Sequence, residues 1–223
     1  MKLPVEFYHN FSILGINNRQ RGGIYPINQR CKEQYILGYL LLALAKARGR
    51  TVDDRPSVLE LFCADAYYGL LAKKFGAGQV TVIDNDPAAI EHAGIMRDIL
   101  NLDVDIQLTN VFDFVPGISY DVVLCTGGLY HLSDPKAFLR SVKNYTKKYL
   151  IVQSVVSLES DDPEYFVSPA PGWPHGCRFS RTYFAKMLND LGFQMIDQGF
   201  NHLEGNDRLC DRGSCYAFCA IGE

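Results

Sequence analysis

The sequence predicts an α/β fold: a doubly wound, mostly parallel sheet of seven strands, with an N-terminal helical extension and a C-terminal antiparallel hairpin. Two observations carry this expectation. From residue 57 to about residue 155, short apolar runs alternate with stretches of helical period, the pattern of βαβ units feeding a parallel sheet. After residue 192, two apolar runs face each other across one polar loop, the pattern of an antiparallel pair.

Residues 1–27 are aromatic and polar without periodicity, and Gly22-Gly23 breaks the chain, so this stretch reads as loop or short helices. From about Asn28 to Arg48, Tyr35, Leu37, Leu40, Leu41 and Leu44 recur at helical spacing, and Gly49 ends the run. Strands are expected near 57–62, 79–84, 104–109, 120–126 and 148–155, with helices near 67–75, 87–100 and 135–145. Asp86 before Pro87 and Asp134 before Pro135 each place an N-cap acid ahead of a proline at the first helical position. Ser180 caps a helix from Arg181 to Leu191, and Gly192 stops it. Phe193–Phe200 and Ser214–Ile221 complete the seven strands, joined by a loop whose tip is Glu204-Gly205-Asn206-Asp207.

The chain of 223 residues is long enough for one domain with a substantial core. Its longest apolar run, Tyr39 to Ala45, is far short of the ~20 residues of a membrane span. Met1-Lys2-Leu3-Pro4 shows no signal-peptide core, so a cytoplasmic location is expected. A net charge of −3 argues against a nucleic-acid partner, since phosphate binding draws on clustered Lys and Arg. Cys63 and Cys125 fall in apolar segments and read as small hydrophobes. Cys210, Cys215 and Cys219, with His175, Cys177 and His202 upstream, have a C-x4-C-x3-C spacing that suits neither a zinc C-x-x-C pair nor an iron–sulfur run. No metal site is expected.

The segment Val58–Asp86 has the layout of a nucleotide-binding turn without its glycines. Ala64, Ala66 and Gly69 stand at G-x-G-x-x-G spacing, and Asp84 follows at about the distance of the ribose acid in that fingerprint. The second glycine of that motif lets the backbone touch a pyrophosphate, and here it is Ala66, whose methyl would stand in the way. Alanine also disfavours the positive φ such turns use. A dinucleotide is therefore disfavoured, whereas a cofactor without phosphates needs only small residues at 64 and 66.

On these residues the chain resembles the class I S-adenosylmethionine-dependent methyltransferases, whose fold is Rossmann-like. Glu60 matches the acid of the family's first motif, with Phe62, Ala64 and Ala66 where its glycines stand. Asp84 matches the second motif, Asn110-Val111 the third, and Cys125-Thr126-Gly127-Gly128 the fourth. The four motifs occur in order, and the likeness runs from residue 57 to 221. Gly128-Leu129-Tyr130-His131-Leu132, with Asp134-Pro135, is similar to a subset that includes the tRNA wobble-uridine carboxymethyltransferase.

The resemblance implies a transferase with S-adenosyl-L-methionine as cofactor. Residues 1–50 would then form a cap and helix, 57–223 the cofactor-binding core, and 156–179 a substrate loop. Asp84 would accept the two ribose hydroxyls, or be a solvated loop acid; Asn85 beside it would line the adenine. Asn110 carries a donor and an acceptor suited to an adenine edge, or is a strand-end turn residue. Glu60 would orient the loop, the amino group of the methionine tail, or both. Val111, Cys125 and Thr126 complete the expected cofactor set. His131 is the candidate general base, and Tyr130 the candidate pocket wall facing the sulfonium.

The acceptor side is expected from Tyr8, His9 and Tyr25, and from Trp173 and His175 in the 156–179 loop, which is long enough to be functional or a disordered lid. The leading expectation is methyl transfer to an oxygen or nitrogen of a small organic acceptor, with room for a homodimer. Two alternatives stand beside it. One is tRNA modification, methyl or carboxymethyl; the other is a non-catalytic binder on the same fold.

Overall fold

The computed structural model describes residues 5–51 and 53–222. Met1-Lys2-Leu3-Pro4, read above for a signal core, lies outside the described residues. The elements run β1 (Glu6–Phe7), β2 (Arg19–Gln20), α1 (Tyr25–Ala47), β3 (Val58–Leu61), α2 (Tyr67–Lys74), β4 (Val80–Asp84), α3 (Pro87–Leu100), β5 (Asp105–Leu108) and β6 (Tyr120–Thr126). Then follow α4 (Pro135–Asn144), β7 (Thr146–Val156), β8 (Phe166–Val167), β9 (Arg178–Phe179), α5 (Arg181–Asp190), β10 (Phe193–His202) and β11 (Gly213–Ile221).

A seven-stranded sheet has the order β10-β11-β7-β6-β3-β4-β5, parallel from β7 to β5 and antiparallel where β11 meets β7 and β10. The order reverses between β3 and β6, and ligands of open α/β sheets bind in the crevice outside the strands' carboxyl ends at such a point. One apolar cluster, with Ile36, Leu40, Leu70 and Met96, fills one face beneath α1, α2 and α3. The other, with Leu59, Leu139, Phe184 and Leu188, lies beneath α4 and α5. Strand residues feed the two clusters alternately, as period-2 side chains must.

Local chemistry ends the helices where the sequence says it should. Asp86 accepts from the Ala88 amide, Asp134 from Ala137 and Ser180 from Tyr183, each at 2.9 Å. Gly192, past α5, has φ +70°, the left-handed residue a helix end uses. Two features differ from expectation. Residues 5–24 are not only loop: β1 and β2 form a small parallel pair around a 3₁₀ turn at Ser12–Leu14. The 156–179 loop, expected as functional or a disordered lid, contains two short strands not expected from the sequence, β8 and β9, paired antiparallel.

Candidate active site

After Leu61 the chain leaves β3 through Phe62, Ala64 and Ala66, all three left-handed at φ +57°, +48° and +60°. Each costs an L-residue roughly 1–2 kcal/mol. The turn thus keeps the backbone a glycine loop would have, without its glycines. Distant groups hold it there. The Cys63 amide donates to the Ile83 carbonyl at 3.0 Å, Ala64 to Asp84 Oδ2 at 2.9 Å, and Ala66 to the Cys63 carbonyl at 2.7 Å. Behind the turn, the Gly69 amide donates to Glu60 Oε2 at 2.7 Å. A Cβ on Gly69 would stand 2.4 Å from Val82, so this first-turn glycine is fixed by the close pass of α2 over the sheet.

Phe62 is accommodated by a glycine elsewhere. A Cβ on Gly128 would lie 2.0 Å from the Phe62 ring, so the ring occupies the space a side chain at 128 would fill. Its edge also meets Phe138, with centroids 5.6 Å apart. A bulky residue in the first motif is thus matched by a missing one after β6.

The N-terminal segment is fastened to the same turn. The His9 amide donates to Asp65 Oδ2 at 2.8 Å, and His9 Nδ1 meets Asp65 Oδ1. The imidazole stacks on Tyr67 at 4.8 Å, and both His9 and Asp65 are buried.

Between these walls lies a cavity of about 760 Å³ at the carboxyl edge of β3, β4 and β6. Of the residues expected to hold a cofactor, Glu60, Phe62, Ala64, Asp84, Asn85, Asn110, Val111 and Thr126 line it. Of the residues expected on the acceptor side, Tyr8, His9, Tyr25, Tyr130, His131 and His175 line it too. Three expected residues are not among them. Ala66 is fully buried in the core at the start of α2. Cys125 points into the opposite apolar cluster, because the alternation of β6 that turns Thr126 toward the cavity turns its neighbour away. Trp173 is 52% exposed and does not line the cavity, although its ring centroid lies 6.2 Å from that of His175, which does. His175 is the residue of that loop that reaches the rim. The loop passes close behind it: the Cys177 amide donates to the Tyr130 carbonyl at 3.0 Å, and a Cβ on Gly176 would come within 2.5 Å of that oxygen.

Sequence reasoning missed a stripe on α1. Gln29, Lys32 and Ile36 face the cavity beside Tyr25, at helical spacing. Tyr68 and Gln153 were missed too, and the Tyr68 hydroxyl and Gln153 Oε1 are buried without a hydrogen-bond partner among the described residues. The helical period of α1 could have flagged Lys32 on its apolar side. Gln153 sits in an unbroken apolar strand, and a polar residue there is a signal in itself.

Burial pushes the Glu60 carboxyl up to about 8, with Asp65 and Asp84 adding to the rise. Burial also pushes the Tyr130 hydroxyl up to about 12, and the Arg178 guanidinium lies over its ring at 5.4 Å. His131, at the accessible rim, titrates below the ordinary histidine value through partial desolvation, with Arg178, His175 and Lys32 lowering it further. Asp84 spends one lone pair of each oxygen on the turn, accepting from Ala64 and from the Asp86 amide at 3.0 Å. Asn110 Oδ1 accepts from Phe112 at 3.0 Å in an Asx turn, leaving its amide group free of any side-chain bond among the described residues. Cys210, Cys215 and Cys219 are buried, and like the other cysteines they are free thiols.

Comparison with known proteins agrees with this geometry. Residues 32–198 match the model of the family described as "Methyltransferase domain". The chain is 40% identical over 67 residues to a ribosomal protein L11 methyltransferase of Thermosipho africanus, covering 30% of this chain and 25% of the relative. It is 26% identical over 149 residues to a tRNA U34 carboxymethyltransferase of Campylobacter lari, covering 66% of this chain and 50% of that one. It therefore spans a quarter to a half of the curated relatives it matches. Among solved structures, magnesium protoporphyrin IX methyltransferase from Synechocystis PCC 6803, crystallised with bound SAM, superposes with a TM-score of 0.68 at 13% identity. That likeness covers 92% of this chain and 87% of that one, and it concerns the fold. The chain belongs to the methyltransferase domain family, in its class I, S-adenosylmethionine-dependent branch.

The residues present fit that cofactor and not a dinucleotide. Three amides of the turn are already bound within the protein, so they are not free to cradle a phosphate. Asp84 adds a carboxylate to the lining, and Glu60, protonated up to about pH 8, adds an acid that a cationic ligand would favour in its ionised form. The orphaned Tyr68 hydroxyl and Gln153 carbonyl oxygen offer a donor and an acceptor.

Proposed function

We propose that this protein transfers a methyl group from S-adenosylmethionine to an oxygen or nitrogen of a small organic acceptor. The observation that carries this reading is the lining of one cavity at the strands' carboxyl edge: Glu60, Asp84 and Asn110 together with the rings of Tyr8, Tyr25 and Tyr130 and with His131. When bound, S-adenosylmethionine supplies an activated methyl group, and the protein's share is to position the acceptor and exclude water. Such positioning is worth up to ~7–11 kcal/mol. Asp84 keeps a free lone pair on each oxygen for the ribose hydroxyls, and Asn110 keeps its amide for the adenine edge. Glu60 faces the amino group of the methionine tail. Tyr8, Tyr25 and Tyr130 wall the acceptor. His131, held neutral near pH 7 by its lowered affinity for protons, takes the acceptor's proton at an imidazole nitrogen.

Calorimetry with S-adenosylhomocysteine tests the cofactor half. Asp84→Ala should weaken binding by roughly 1.5–3 kcal/mol, as loss of charge-assisted hydrogen bonds does. Unchanged affinity would remove Asp84 from the site, and no binding by the wild-type chain would favour a non-catalytic role. The relative named as a tRNA U34 carboxymethyltransferase gives tRNA modification a second place. A steep fall of tRNA binding with salt would support that reading, and its absence would count against it.

A further inference from the structure

The cavity contains a cation without an ion-pair partner among the described residues. Lys32 is 6% exposed, so its four-carbon stem is packed away and its ammonium is withheld from bulk water. No carboxylate lies within ion-pair distance of Nζ, and Nζ makes no hydrogen bond among the described residues. Yet the side chain lines the cavity, and Nζ is not among the fully enclosed orphan atoms, so the charge opens onto that space. An isolated buried ammonium is expensive, and proteins carrying one pair it or give it a ligand.

From this geometry we infer that Lys32 is the recognition site for a carboxylate on the acceptor, which is therefore a small organic acid rather than an amine or a neutral molecule. The inference rests on the methyltransferase reading and narrows its substrate. Lys32 stands one helical turn from Gln29, with Tyr25 a further turn back, on the stripe of α1 that covers the cavity. Tyr8 and Tyr130 line the same cavity and give it aromatic surface suited to the apolar body of such an acid. Arg21, over the Tyr25 ring at 5.6 Å, adds a second positive group at the mouth. Asp84 lines the same cavity without reaching ion-pair distance of Lys32, so among the described residues no carboxylate neutralises the ammonium. Burial lowers the Lys32 ammonium to about 8, opposed only by the neighbouring Cys31 thiol and by no carboxylate; its charge in turn acts on His131. An ammonium is a point charge with three donors, matched by one carboxylate.

The same chemistry has two sources, since the amino-acid end of the cofactor also carries a carboxylate. The test separates them. Binding of benzoate, cinnamate and hexanoate, each against its neutral amide, is measured by calorimetry on the full chain at pH 7, with and without saturating S-adenosylhomocysteine. The wild type should bind at least one acid ten-fold or more tighter than its amide. Lys32→Met should bring that ratio near one, and Lys32→Arg, which keeps the charge, should restore most of it. S-adenosylhomocysteine affinity should stay within about three-fold in Lys32→Met. Its melting temperature should not fall, because the change removes an unpaired buried charge. No acid preferred over its amide, or a preference untouched by Lys32→Met, overturns the proposal. A ten-fold loss of S-adenosylhomocysteine affinity in Lys32→Met overturns it too, by assigning the carboxylate to the cofactor. If the wild type binds acids through Lys32 but no S-adenosylhomocysteine, the methyltransferase reading fails while the acid site stands.

Discussion

Replacing Glu60 by Gln should stabilise the ligand-free protein, and by an amount that depends on pH. Glu60 is 1% exposed, its Oε2 accepts the Gly69 amide at 2.7 Å, and burial lifts its carboxyl from 4.5 to about 8. In the unfolded chain this residue is ionised above pH 4.5; in the folded one it holds its proton until about pH 8. Within that window the folded state binds the extra proton, so stability is lost as pH rises. From 4.5 to pH 7 the loss is about 3 kcal/mol, at ~1.4 kcal/mol per pH unit, and at pH 5 it is below about 1 kcal/mol. Glutamine stays neutral throughout and keeps a carbonyl oxygen for Gly69. Urea unfolding of both proteins at pH 5 and 7 should therefore show the variant gaining about 2 kcal/mol more at the higher pH. A difference between the two proteins that is constant across this range would refute the reasoning. The stabilisation should come with weaker S-adenosylhomocysteine binding, since an ionisable acid can meet the ligand's ammonium and an amide cannot.

Gly128→Ala puts a Cβ into the Phe62 ring and should cost about 1–3 kcal/mol, most of it recovered in a Phe62→Ala background. Strict additivity in the double-mutant cycle would show that the two positions do not compete for space. Asp65→Asn removes the carboxylate that holds His9, and amides of residues 5–20 should then exchange with deuterium about ten-fold faster while those of α3 do not change. Uniform exchange in both segments would mean the cap is held by other contacts. With a methyl acceptor in hand, His131→Ala should lower turnover by ~10²-fold or more and leave S-adenosylhomocysteine affinity nearly unchanged. A wild-type rate would pass the proton-accepting role to His175 or His9.

What was legible in the sequence was what is decided locally or by period. Asp86, Asp134 and Ser180 cap the helices they were expected to cap, because a short acceptor ahead of a helical run has few other uses. Asp84 and Asn110 lie at strand ends on the cavity, since the βαβ alternation dictates which strand ends share an edge. Cys125 was misplaced by reading a motif as a block, whereas on one strand only alternate residues can face a ligand. Ala66 was placed against the cofactor for its position in the glycine pattern, but it turns inward to start α2. Lys32 falls on the apolar side of α1 by its helical period, with Ile36 and Leu40, and its role needs more than that. Only the fold reveals that α1 lays that residue across a cavity.

The turn after β3 shows why its motif was hard to read. Glycine is favoured there because a loop meeting a ligand must adopt positive φ at no cost. Here the same backbone is imposed from outside, by Ile83 and Asp84 on the neighbouring strand, and further fastened by the bond from Asp65 to the cap. Three left-handed L-residues together cost roughly 3–6 kcal/mol, a strain the surrounding contacts must over-determine if the turn is to persist. The arrangement has a chemical consequence. A glycine loop offers its amides to a ligand, while this one has committed them to hold itself, leaving side chains (Glu60, Asp84, Tyr68) to meet whatever binds. That substitution selects against phosphate and in favour of a cation-bearing cofactor. Phe62 fits the same logic, because a rigid ring can close the β6 side of the site only if position 128 gives up its side chain, and it does.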